Sequence, residues 1–383
     1  MTTNLKGSAP VTAGKSANEG IRVMLVDDSA IIRGLITKMV ASDPGITIVA
    51  SVGDGAQAVK RMEKRDIDVI VLDIEMPVMD GLTALPKLIK IDPNVKIIMA
   101  STLTERNADV SLQALKAGAA DYVPKPTSMN KVSGASDFRR EILEKIKILG
   151  AASRRQAGRP VPAADVAADS QSQPSIYSVP VTLRQPTNIL PPKILAIGCS
   201  TGGPQALFKL FANLKPKIDV PVVITQHMPP TFTRLLAEHI ANSSDWTCTE
   251  AQDGDVLKAN HAYVAPGDFH MEIENAPDGF TIRVNQNPPE NFCRPAVDPM
   301  FRSLSQVYGG RVLAVVMTGM GTDGLKGGGK IVETGGTLFA QDEKTSIVWG
   351  MPGAVAAAGL CSDVLPIDKL GKRIMEFMGK SDR

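Results

Sequence analysis

Short apolar runs alternate with amphipathic stretches along two parts of the chain. Between residues 21 and 149, the runs Ile21–Val26, Ile46–Val52, Val69–Leu72, Lys96–Ala100 and Asp121–Val123 read as strands. Helical patterns fall between them and after the last, where Phe138, Ile142, Ile146 and Leu149 recur at helix spacing. Such alternation predicts a parallel sheet covered on both faces. Residues 150–190, from "GAASRRQAGRPVPAADVAADSQSQPSIY" onward, lose the periodicity and are rich in Ala, Ser, Gln and Pro. That composition buries little and predicts a flexible linker. From Pro191 the alternation resumes, with strands near 193–197, 220–225 and 311–317. Residues 246–295 carry "HAYVAP" and "FTIRV" among turn residues, which predicts hairpins inserted into the second sheet or added to its edge. The expected fold class is therefore α/β: two doubly wound parallel-sheet domains, 21–149 and 191–383, the second with a hairpin addition.

Composition narrows the picture. A chain of 383 residues accommodates two or more domains of roughly 100–200 residues each. The formal net charge of +2 leaves no basic surplus, so nucleic acid is not an expected partner. The first twenty residues lack the apolar core of a signal peptide, and no apolar run approaches the roughly 18 residues of a membrane span. Direct membrane insertion is not expected. Cys199, Cys248, Cys293 and Cys361 form no CxxC pair, which suits reduced thiols and a cytoplasmic protein.

Chemistry first appears where the strands of the first domain end. In an open parallel sheet, ligands bind outside the carboxyl ends of the strands. Strand one there runs into Asp27-Asp28, strand three into Asp73 and strand four into Ser101-Thr102, and Lys125 follows strand five. Three carboxylates on one edge repel each other unless a hard cation such as Mg²⁺ binds them. A carboxylate can accept a phosphoryl group, and a neighbouring lysine and hydroxyl can hold the new oxygens. With "LVDDS", "VLDIEMPVMDG", "IIMAST" and "AGAADYVPKP", residues 21–149 resemble a response-regulator receiver domain, a flavodoxin-like fold. The resemblance implies Asp73 as phospho-acceptor and Asp27 and Asp28 as further holders of Mg²⁺. It also implies Ser101 and Lys125 at the phosphoryl group, and Tyr122 as the aromatic that reorients on activation. Thr102 stands beside Ser101.

In the second domain, "GCSTGG" follows the apolar run ending at Ile197. Gly198 to Gly202 fits the G-x-S-x-G elbow, a sharp strand-to-helix turn that exposes a serine near a helix N-terminus. A serine nucleophile needs a base, and the base needs an orienting acid. His227 ends the apolar run "VPVVITQ" and Asp323 follows the buried run Val312–Met317, so parallel strands would bring both to the edge that carries Ser200. His239 lies in a helical stretch and reads as a surface or packing residue, while His261 and His270 are possible bases without a place. Three other readings compete. The stretch "GLKGGGK" has Ile331 where a Walker A loop needs Ser or Thr, so helix packing explains its glycines better. A DNA-binding output lacks an obvious helix-turn-helix, and a Cys199 nucleophile sits off the central position of the elbow.

The motifs "IGCSTGGP", "ITQHMPP", "YVAPGD", "RPAVDPMFRS", "MTGMGTDG" and "QDEKTSIVWGMPGAV" make residues 191–375 resemble the catalytic domain of chemotaxis protein-glutamate methylesterases of the CheB type, here read as Rossmann-like. That resemblance implies Ser200 as nucleophile, His227 as base and Asp323 as its acid. Thr201 and the backbone near Met320 would line the site or support the oxyanion. The implied substrate is glutamate methyl ester on chemoreceptors, with receptor glutamine deamidation as a further activity. A chemotaxis histidine kinase is the implied phosphodonor, and no cofactor is implied for the ester hydrolysis. The family commonly has Ala where Cys199 stands, which places a thiol beside the nucleophile and raises the question of oxidation sensitivity. A receiver ahead of a hydrolase also suggests that the unphosphorylated receiver obstructs the catalytic edge.

Overall fold

The computed structural model describes residues 20–102, 104–125, 132–161, 180–186, 191–214, 218–277 and 279–379. The first domain runs β1 (Ile21–Val26), α1 (Ala30–Val40), β2 (Ile46–Val52), α2 (Gly55–Met62), β3 (Val69–Asp73), α3 (Gly81–Ile91), β4 (Lys96–Ser101), α4 (Glu105–Lys116), β5 (Asp121–Pro124) and α5 (Val132–Gln156). Its five strands are parallel in the order β2-β1-β3-β4-β5. Polar residues start four of the helices: Ser29, Asp54, Asp80 and Thr104 each accept a hydrogen bond from a first-turn backbone N–H. Capping thus falls to Asp54 and Asp80 and leaves Asp27, Asp28 and Asp73 for other work.

Helix α5 passes the expected boundary at residue 149 and enters the stretch read as linker. Tertiary pairing holds it there. The buried Arg154 guanidinium donates to Asp68 Oδ2 at 2.9 Å and to Gly20 O at 2.6 Å. Asp68 is fully buried and also pairs with Arg22 and Arg159. A buried carboxylate is costly unless it is paired, so the helix that supplies Arg154 stays wound. Residues 162–179 and 187–190 of the expected linker lie outside the described residues.

The second domain continues with β6 (Ile194–Cys199), α6 (Gly203–Asn213), β7 (Val222–Gln226), α7 (Phe232–Ser243), β8 (Thr247–Glu250), β9 (His261–Val264), β10 (His270–Ala276) and β11 (Gly279–Asn285). It ends with α8 (Val297–Tyr308), β12 (Val312–Val316), α9 (Leu325–Glu333), β13 (Thr337–Gln341), α10 (Met351–Ala357), β14 (Asp363–Leu365) and α11 (Ile367–Phe377). Seven parallel strands form the main sheet in the order β14-β13-β12-β6-β7-β9-β8. Every residue of β6, β7, β12 and β13 is buried, as strands covered by helices on both faces require.

The hairpin region resolves differently from its expectation. "FTIRV" belongs to the antiparallel hairpin β10–β11, a separate two-stranded sheet. "HAYV" is not a hairpin arm: it is β9, a parallel strand between β7 and β8. Ala262, Tyr263 and Val264 are all buried there, a demand that an edge hairpin would not meet. The spacing read from the sequence also left out β13 and β14, which extend the sheet past β12.

The glycines of "GLKGGGK" serve packing. A Cβ on Gly327 would lie 2.7 Å from Phe301 Cβ and 2.9 Å from Asp298 O, so α9 can lie this close to α8 only with glycine there. Lys330 is exposed and pairs with Glu333.

Candidate active site

The β6–α6 turn presents Ser200 at the carboxyl edge of the main sheet. Gly202 takes φ +75° at the helix N-cap, the left-handed conformation that glycine adopts without penalty. Ser200 itself is half-buried. Gly319 lets the β12 loop approach it, since a Cβ there would fall 2.9 Å from Ser200 Cβ. The next strands supply the partners. His227 follows β7 and Asp323 follows β12, the two neighbours of β6 in the sheet. The imidazole Nε2 meets Asp323 Oδ2 at 2.8 Å, and both side chains are nearly inaccessible.

Burial works against a charged His227 imidazole, but the Cys293 sulfur and the Asp323 carboxylate outweigh it and push its pKa up to about 10. Burial likewise opposes charge on Asp323, yet His227 and the backbone N–H groups of Val297 and Asp298 hold this carboxyl below its ordinary value. The pair is therefore set up as a carboxylate facing a ring that holds its proton, an imidazolium at neutral pH, with Nδ1 as the ring nitrogen not engaged by Asp323. Among the described residues no hydrogen bond joins Ser200 Oγ to the ring. Such catalytic bonds often tighten only when substrate is bound.

Cys199 is fully buried on β6, and burial pushes its thiol well above the ordinary range. The thiol that meets the site is Cys293, half-buried beside His227. Thr201 is buried, donates from Oγ1 to Asp121 of the receiver at 2.9 Å, and accepts from Thr318 Oγ1 through its carbonyl. Met320 is half-buried and packs with Ile347 against an apolar cluster that joins Val348 to the receiver core.

Two amides at this edge were not singled out by sequence reasoning. Gln226 donates from Nε2 to the carbonyls of Ser200 and His227, at 3.0 and 3.1 Å, and so ties the two turns together. Asn291 donates from Nδ2 to Asp323 Oδ1 at 2.8 Å and to Asp298 Oδ2 at 3.0 Å. Gln226 sits inside the quoted motif "ITQHMPP" directly before His227, a visible signal. Asn291 lies far from the triad in sequence, and only the fold brings it in.

On the receiver edge, Asp27, Asp28 and Asp73 each offer an oxygen within 4.8 Å of the others. Lys125 Nζ lies 2.7 Å from Asp27 Oδ2 and 2.6 Å from Asp73 Oδ1. Burial, only partly offset by Lys125, raises the Asp73 pKa to about 6. This all-oxygen donor set, with Asp27 and Asp73 buried and Asp28 exposed, fits a hard divalent cation. Ser101 is buried and bonds Ser111 Oγ of α4 at 3.0 Å, while the exposed Thr102 accepts from Asn107 Nδ2.

The two domains meet at this point. Tyr122 stacks on Phe232 of α7 with ring centroids 4.4 Å apart and planes at 10°. His239 of α7 pairs with Asp109 of α4 at 2.6 Å, Arg234 pairs with Glu105, and Gln205 of α6 donates to Ala119 O. Thus α4 and β5 of the receiver lie against α6 and α7, the helices that follow the Ser200 and His227 turns. His239, read as a packing residue, holds the domains together.

Fold and site define a two-domain response regulator whose output is an α/β domain of hydrolase type. Residues 23–136 match the family model for the response regulator receiver domain, and residues 195–374 match that for CheB methylesterase. A protein-glutamate methylesterase/protein-glutamine glutaminase 1 of Paramagnetospirillum magneticum is 53% identical, covering 95% of this chain and 98% of that protein. A protein-glutamate methylesterase/protein-glutamine glutaminase of Azospirillum brasilense is 52% identical over 96% of this chain and 95% of that protein. The crystal structure of the Thermotoga maritima CheB methylesterase catalytic domain aligns at 38% identity with a TM-score of 0.48, covering 49% of this chain and 99% of that one. The chain belongs to the protein-glutamate methylesterase/protein-glutamine glutaminase family.

Proposed function

We propose that Ser200, His227 and Asp323 carry out the reaction of this enzyme, the phosphorylation-controlled hydrolysis of glutamate methyl esters on chemoreceptors. The observation that carries the assignment is the buried His227–Asp323 pair on the strands flanking the Ser200 elbow. Ser200 Oγ attacks the γ-carbonyl as its proton passes to His227. Because Nε2 faces Asp323, Nδ1 is the nitrogen that takes it. Asp323 stabilises the imidazolium, and the backbone near Thr201 and Met320 donates to the oxyanion; one such donor is typically worth about 3–4 kcal/mol. His227 then protonates the departing methanol, since methoxide leaves poorly. Water, deprotonated by His227, cleaves the acyl-enzyme to free glutamate and restores Ser200. The same path with ammonia leaving deamidates glutamine.

Control starts at Asp73, which takes a phosphoryl group from a chemotaxis histidine kinase. Asp27, Asp28 and Asp73 would hold Mg²⁺, whose positive charge would offset that of the incoming phosphoryl group. Lys125 is already on Asp73 and turns to the new oxygens. Ser101 does the same by leaving Ser111 of α4. Helix α4 carries Glu105 and Asp109, the partners of Arg234 and His239, so loosening it weakens the domain contact. Tyr122, stacked on Phe232, is released in the same movement. Shifting such a closed state toward an open one takes a few kcal/mol, within reach of new charge-assisted hydrogen bonds. No helix among the described residues is long and apolar enough to cross a membrane.

Methanol release from methylated receptors, with and without a small phosphodonor, tests the reading. Ser200→Ala should abolish release with both domains folded. Undiminished release from that variant overturns the assignment.

A further inference from the structure

Asn291 occupies an uncommon backbone conformation for a reason that reaches the triad. It takes φ +52° and Phe292 after it φ +62°, two consecutive left-handed residues without glycine. Such conformations cost energy, and they persist where the surroundings over-determine them. Here the restraints are explicit. Glu290 and Cys293 exchange backbone hydrogen bonds of 3.1 and 2.8 Å across the turn, and Glu290 is held by Arg302. Inside the turn, the one NH₂ group of Asn291 divides its two hydrogens between Asp323 and Asp298.

Those carboxylates are both about 1% exposed and sit close together. Adjacent buried carboxylates favour sharing a proton or turning apart unless donors are interposed. Asp298 Oδ1 accepts from the backbone N–H of Gly324 and Gly327, the latter at 2.7 Å, and Oδ2 takes the Asn291 amide. Asp323 Oδ1 accepts from Asn291, Asp298 N and Gly324 N, which leaves Oδ2 for Val297 N and the imidazole. The Asn291 amide is the side-chain donor common to both acids.

We propose that Asn291 is a positioning residue of this hydrolase, a cross-brace between Asp298 and Asp323 that holds the Asp323 carboxylate with Oδ2 toward His227. The proposal rests on the reading of Ser200, His227 and Asp323 given above. Asn291 acts through Asp323 and contacts neither substrate nor the reacting atoms. Its loss lets the Asp323 carboxylate rotate, or lets the two acids share a proton, and either outcome misorients the imidazole.

The test uses the full-length protein, phosphorylated by a small phosphodonor, releasing methanol from a peptide that carries a glutamate γ-methyl ester. Asn291→Gly removes the amide and suits the positive φ, so the turn survives. We expect kcat to fall at least about tenfold with KM within about twofold. Asn291→Asp keeps the shape without an amide donor and should be equally slow. In an Asp323→Asn background, Asn291→Gly should cost almost nothing further, because its effect runs through Asp323. Unchanged kcat in both Asn291 variants, or a full additional loss in the Asp323→Asn background, overturns the proposal. Ser200→Ala run alongside separates the two readings. An active Ser200→Ala enzyme removes the site itself, whereas an inactive one beside unimpaired Asn291 variants removes only the brace.

Discussion

Thr201 Oγ1 donates a 2.9 Å hydrogen bond to Asp121 Oδ2, which ties the residue after the candidate nucleophile to the last strand of the receiver. Asp121 also receives Tyr122 N and lies 3.4 Å from Lys145, so its carboxylate is anchored within the receiver. A hydrogen bond to an ionised group contributes about 1.5–3 kcal/mol. The bond therefore makes a sizeable part of the closed arrangement. Asp121→Ala should raise the unphosphorylated rate on methylated receptors several-fold and leave the phosphorylated rate close to that of the parent. Rates measured with and without phosphodonor check this, and an unchanged basal rate removes the Thr201–Asp121 bond from the control of the enzyme.

The thiols should react in an order set by burial. Cys199 is inaccessible and its thiol is pushed far toward the neutral form, whereas Cys293 is half-buried next to His227. The thiolate is the nucleophile, and it needs access to the reagent. Brief treatment of the folded protein with iodoacetamide should label Cys293 and spare Cys199, with activity falling as Cys293 is modified. Cys199→Ala should keep most of its activity. Peptide mapping by mass spectrometry that finds Cys199 modified first contradicts this order.

The pH profile should be displaced to the alkaline side. In the proposed mechanism His227 must be neutral to accept the Ser200 proton, and its pKa is raised to about 10 against burial by Cys293 and Asp323. A raised pKa keeps the base protonated over more of the range, so kcat/KM should still be climbing at pH values where an ordinary imidazole, near 6.5, has finished titrating. Cys293→Ala removes one of the two groups that raise it and should move the acid limb downward. A profile that levels off near neutrality in the parent protein is the contrary result.

Removal of the metal or of its ligands should separate regulation from catalysis. Asp28 is the exposed member of the acidic cluster, far from the hydrolase residues in the chain and not bonded to them. Asp28→Asn, or chelation of Mg²⁺, should abolish stimulation by a small phosphodonor and leave the basal esterase rate in place. Retained stimulation in the presence of excess chelator would show that the cluster accepts phosphate without a cation.

Much of the candidate site was legible because parallel sheets convert sequence position into spatial position. Each chemical residue of the receiver edge follows an apolar run, and so do Ser200, His227 and Asp323; strands pointing one way bring their ends together. The order β12-β6-β7 then places Asp323, Ser200 and His227 on neighbouring strands. Cys199 and Ser200 are adjacent in sequence but meet opposite environments, one inside the sheet and one on the turn.

What the chain alone determined was the periodic, local part: alternating strands and helices, the acidic edge, the glycine turn that bares Ser200. Tertiary structure decided what depends on partners distant in sequence. "HAYV" became a parallel strand because the fold buried both its faces, and α5 ran on to Gln156 because Arg154 meets the buried Asp68. Asn291 reached Asp323 across 32 positions, and Thr201 reached Asp121 across 80. Side-chain periodicity reports which face of an element is buried, whereas a hydrogen bond between distant residues exists only once packing has brought donor and acceptor within about 3 Å and excluded the water that would otherwise satisfy both.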